Sequence, residues 1–169
     1  MKNTTRALVR CAMFCAVALI LSLVERLLEP LFAFMPGVKL GIANVAVLLA
    51  LVLDGAVSGI TVLLVKCLFG AIFSANITSL IFSLSAGITS FTVQYLILTL
   101  GKNKVGIIAI SVVGALVHNL TQILVASLIV QTNLIMLALV LLPMGFIAGV
   151  FTGFASYYTI KSIPTKLLN

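Results

Sequence analysis

Six long apolar stretches, at residues 7–28, 40–53, 56–73, 80–100, 105–130 and 134–160, take up nearly all of this 169-residue chain. A helix needs about 20 apolar residues to cross the hydrocarbon core of a bilayer. Six crossings with short connections leave no space for a soluble domain, an ATPase module or a long tail, so residues 1–169 read as one membrane domain. The charge content points the same way. Only 8% of the residues are charged and 63% are hydrophobic, where a soluble domain carries about 25% charged residues. Ten basic and three acidic side chains cannot solvate a globule of this size. That excludes a water-soluble enzyme and a disordered chain. A spanning β-barrel is excluded too, because the apolar runs are too long and do not alternate. The expected fold is all-α, a bundle of six transmembrane helices.

The breaks are short. Asp54-Gly55 forms a tight turn, and residues 74–76, 101–104 and 131–133 separate the later segments. The longest connection is 29–37, with Pro30 and Pro36 near its ends. The second segment is the shortest, and Val38 and Lys39 extend it, since the lysine stem can snorkel. Lys2, Arg6, Arg10, Lys102, Lys104, Lys161 and Lys166 all fall on one side of a six-span arrangement. The positive-inside rule makes that side cytoplasmic, with both termini on it. The first segment begins like a signal peptide. Its small residues lie inside the apolar run, however, and Glu25-Arg26 follow, so it is expected to stay as a helix. The net charge of +7 is not a nucleic-acid signal, because no basic stripe is interleaved with aromatics. Cys11, Cys15 and Cys67 lie inside apolar runs and read as packing residues rather than a disulfide framework or a metal site.

Polar residues within the apolar runs carry the functional signal, because placing them in lipid is costly unless they are paired or hydrated. Lys66 sits near the middle of the third segment, and His118 and Asn119 near the middle of the fifth. Gln122 is one turn beyond His118 and Gly114 one turn before it, on the same face. Asn44 lies one to two turns below Lys39, and the fourth segment carries Ser83 and Gln94 among several hydroxyls. These depths predict a polar cavity opening outward. Lys66 would supply charge to an anionic ligand, His118, Asn119 and Gln122 hydrogen bonds, and Lys39 and Asn44 the outer rim. The competing reading is structural. Ser and Thr often bond their own helix, Asn and Gln often join helices, and a lysine can be satisfied by carbonyls or water.

Small residues recur on two faces. Ala12 and Ala16 are four apart, as are Gly145, Gly149 and Gly153, and such spacing lets helices approach closely. The glycines read as packing within the bundle, with Pro143 as a kink. The Ala12–Ala16 face fits internal packing or docking of another membrane protein equally well. Catalysis has little support: there is no Asp-rich magnesium motif, acid pair, Cys/His cluster or phosphate loop, and no cofactor or metal is expected.

Residues 36–44, PGVKLGIAN, resemble the P-G-x-K-x-G-x-A-N signature of the bacterial Gx transporter family, also labelled heptaprenyl diphosphate synthase component I. Lys66 within VKCLFG, residues 83–87 (SLSAG) and residues 114–122 (GALVHNLTQ) are similar to further family motifs. The resemblance implies a relation to the substrate-binding S components of energy-coupling factor (ECF) transporters. Those are six-helix membrane proteins that capture vitamins or similar molecules and associate with a transmembrane coupling protein and ATPases. It selects Ala12 and Ala16 as the docking face and implies a bacterial cytoplasmic membrane location. The expected function is substrate capture for uptake of a small anionic solute. A non-catalytic accessory of heptaprenyl diphosphate or quinone synthesis, or a membrane scaffold, are the alternatives.

Overall fold

A computed structural model of the chain describes residues 2–28, 41–75, 77–101, 104–131 and 135–163. Six α-helices follow one another: α1 (Lys2–Leu28), α2 (Asn44–Asp54), α3 (Ala56–Ser74), α4 (Ile77–Leu100), α5 (Ile107–Val130) and α6 (Ala138–Ser162). A 3-10 turn, Ile135–Leu137, leads into α6. No strand occurs among the described residues. The expected breaks are present. Gly55, at φ 90°, is the one residue between α2 and α3, and Ala75 closes α3 in the left-handed region at φ 47°.

Among the described residues, five helices are long and apolar enough to cross a bilayer, and α2 is not. The second segment, expected to be the shortest, is the one that falls short, and Val38 and Lys39, expected to extend it, lie outside the described residues. Gly41, at φ 68°, sets the turn that delays the start of α2 to Asn44. The eleven residues of α2 rise only about 16 Å, roughly half the hydrocarbon core. Its sequence explains where it can sit. Val45, Ala46, Val47, Leu48, Leu49, Ala50 and Leu51 are all buried. A helix that is apolar all round belongs inside a bundle, surrounded by other helices.

Cross-helix contacts set the directions. Arg10 on α1 pairs with Asp54 at the end of α2 at 2.9 Å. Arg26 near the end of α1 donates to the Gly70 carbonyl near the end of α3. Ser90 of α4 bonds the Gly114 carbonyl of α5, and Asn119 of α5 bonds the Leu141 carbonyl of α6. Successive helices therefore run in alternating directions. The start of α1 and the end of α6 lie at the same end of the bundle, together with Arg6, Arg10, Lys104 and Lys161.

The core is a cluster of Ala18, Ala46, Val47, Ala50, Leu51, Val62, Leu63, Cys67 and Phe91, with Cys11, Phe14 and Cys15 packed on it. All three cysteines are free thiols. The alanines allow close approach of backbones, which is how helices associate where lipid removes the hydrophobic drive. The glycine stripe of α6 acts likewise against α5. A Cβ on Gly149 would lie 2.7 Å from Val112 Cα, and one on Gly153 2.8 Å from Ile108 Cα. On α1 the buried side is narrow. Ala12 and Ala16 are exposed, among Leu8, Met13, Ile20 and Leu27.

Candidate functional site

A cavity of about 100 Å³ lies among all six helices. Its position follows from the length of α2. Above Asn44 that helix stops, and the last turns of α1 and α3 close around the end it leaves. Ser22, Glu25 and Arg26 line the cavity from α1, with Gly41 and Asn44 from the start of α2 and Lys66 and Gly70 from α3. From the other side come Ser83, Ser90, Phe91 and Gln94 of α4, Ser111, His118 and Asn119 of α5, and Gly145 and Thr152 of α6.

Polar contacts divide the cavity into two zones. Formal charge is confined to the end formed by α1, α2 and α3. There Lys66 Nζ donates to Asn44 Oδ1, Arg26 donates to the Gly70 carbonyl, and Glu25 Oε1 accepts from the Gly41 backbone N–H. Two cations face one acid, so this end has a net positive charge among the described residues. The floor is neutral. Ser90 Oγ donates to the Gly114 carbonyl at 2.8 Å, Asn119 Nδ2 to the Leu141 carbonyl at 2.6 Å, and Ser111 and Thr152 share a hydroxyl contact at 2.7 Å. Phe91 supplies an apolar wall and is 8% exposed.

Of the residues expected at a site, Asn44, Lys66, Ser83, Gln94, His118 and Asn119 line this one cavity. Gln122 does not. It is half-buried one turn further along α5, beyond His118 and Asn119, the last residues of that helix to line the cavity. Lys39 lies outside the described residues. The hydroxyls of Ser74, Ser85 and Thr89 bond carbonyls of their own helices, the structural use expected of such residues.

Glu25 and Arg26 were missed as site residues. Their sequence position marks the end of a span rather than its interior. The structure brings Glu25 into the same cavity as Lys66. The available signal was Ser22, one turn before Arg26, which continues a polar row along the last turns of α1.

The profile of the family described as heptaprenyl diphosphate synthase component I matches residues 14–159. The match runs from α1 through nearly all of α6 and takes in every described residue that lines the cavity. No curated protein and no solved structure matches the chain. The chain belongs to the heptaprenyl diphosphate synthase component I family.

Proposed function

We propose that this chain is a non-catalytic membrane subunit that binds a small anion in its cavity and acts through a protein partner. The observation that carries the reading is the net positive end formed by Lys66, Arg26 and Glu25 beside a floor of neutral hydrogen-bonding groups. An anion arriving there exchanges hydration for charge-assisted hydrogen bonds, worth about 1.5–3 kcal/mol each. A non-catalytic role is supported by the scarcity of acids. There are three in the chain, of which Asp54 pairs with Arg10 and Glu25 accepts from Gly41.

The family description supports a partner that carries prenyl diphosphate synthase activity, with this chain as its membrane component. A second reading, capture of a solute for uptake in the manner of an ECF S component, is favoured by a different observation. Ala12 and Ala16 lie on the exposed face of α1, where a coupling protein could pack closely. In both readings the end bearing Arg6, Arg10, Lys104 and Lys161 is placed in the cytoplasm, and the membrane is the bacterial cytoplasmic membrane.

Affinity purification from mildly solubilised membranes tests the partner. A co-eluting soluble prenyl diphosphate synthase is the expected result. Co-elution of ATPases with a membrane coupling protein would move the assignment to uptake, and isolation of the chain with neither would refute the partner claim.

A further inference from the structure

Gln94 is 8% exposed, lines the cavity floor, and makes no hydrogen bond among the described residues. Its neighbours on the floor are committed: Ser90 to the Gly114 carbonyl, the Asn119 amide nitrogen to the Leu141 carbonyl, and Ser111 to Thr152. The backbone opposite is shaped around it. A Cβ on Gly114 would lie 2.0 Å from Gln94 Nε2 and 2.6 Å from its Cδ, so only glycine leaves space for the amide where it stands. A buried amide held in place without a protein partner must be satisfied by what enters the cavity.

We infer that Gln94 reads an uncharged donor–acceptor group, such as a carboxamide, at the inner end of the ligand, while Lys66 holds an anionic group at the other end. The inference rests on the anion-binding reading above and narrows it to a class of ligand. An amide offers a donor and an acceptor side by side, and its complement is another such group. A second charge at the floor would be desolvated with no counter-charge, since the charged residues lining the cavity lie at the α1–α3 end. A prenyl tail would strand the Gln94 amide against hydrocarbon.

Three probes test this on the purified full chain in nanodiscs, by titration of its thermal stability. Succinamate carries a carboxylate and a carboxamide; 4-methylpentanoate has the same shape with an isopropyl end; geranyl diphosphate represents a prenyl ligand. Succinamate is expected to bind about tenfold more tightly than 4-methylpentanoate, the scale of one well-made buried hydrogen-bonded group. Gln94→Met should abolish that preference while leaving the 4-methylpentanoate response. Gly114→Ala should do the same by displacing the amide without removing it, and Lys66→Met should abolish both responses. Equal binding of the two carboxylates, or tighter binding of geranyl diphosphate, overturns the assignment of Gln94 while leaving the anion site standing. Silence of all three probes at millimolar concentration overturns the anion site and this inference together. A preference that survives both Gln94→Met and Gly114→Ala shows the amide to be satisfied by water and refutes its role in recognition.

Discussion

Gly149→Ala tests whether the α5–α6 contact is as close as the structure makes it. The new Cβ would sit 2.7 Å from Val112 Cα, 3.0 Å from Ala115 Cβ and 3.3 Å from the Ser111 carbonyl oxygen. Carbon atoms prefer about 3.5–4.0 Å. The nearest atom is backbone, so no rotamer change relieves the clash, and the helices must part by about 1 Å. Overpacking of that kind costs about 1–3 kcal/mol. The same movement would stretch the Ser111–Thr152 contact from 2.7 Å beyond hydrogen-bonding range, adding about 1 kcal/mol. Alanine's better helix propensity returns about 1 kcal/mol. The net expectation is a loss of about 1–3 kcal/mol, read as reversible unfolding in mixed detergent micelles. Gly106→Ala is the control, because that glycine has φ −68° and open space around it; it should fall within about 0.5 kcal/mol of the parent. A Gly149→Ala protein as stable as the parent would refute the close-contact argument.

Removing one partner of the Arg10–Asp54 pair should be costly, because the Asp54 side chain is 3% exposed. Arg10→Leu is expected to lose stability toward the lower end of about 3–5 kcal/mol, since the arginine is partly exposed, and the Arg10→Leu/Asp54→Leu double variant should lose less than the sum of the two single changes. Strict additivity in that cycle would remove the pair from the account. Replacing Ala12 and Ala16 by Leu should leave the unfolding midpoint unchanged, as both are exposed, while blocking partner recovery in the purification assay; a large fall in stability would place the face inside the bundle. In a cysteine-free background, Gln131→Cys should react with an impermeant thiol reagent in intact cells and Lys104→Cys should not, and the opposite pattern would invert the topology.

Hydrophobic length made the helices legible in the sequence, and turn chemistry at Asp54-Gly55 made one boundary sharp. The start of α2 was misplaced because Gly41-Ile42-Ala43 reads as apolar helix, and the positive φ of Gly41 is a backbone property that hydropathy does not register. Polar residues stranded in apolar runs pointed to most of the side chains that line the cavity, since lipid forces such groups together. Their helical spacing failed for Gln122, because sharing a face with His118 says nothing about how far along that face a cavity extends. Glu25 and Arg26 escaped because their role depends on α1 leaning over the end of α2, and the Arg10–Asp54 pair because its partners lie 44 residues apart. Gly114 was legible only as a small residue; that it makes way for Gln94 is a matter of tertiary distance.

The brevity of α2 also bears on biogenesis. A helix of eleven residues cannot by itself partition stably across a bilayer, and the side chains from Val45 to Leu51 are covered by protein rather than lipid. Its membrane insertion must therefore be coupled to that of a neighbour. The nearest in sequence is α3, separated by Gly55 alone, so the two would enter as a helical hairpin. Burial of α2 then waits on α1 and on α6, the last helix of the chain to follow, which places completion of the cavity among the last steps of assembly, after every full span is already in the lipid.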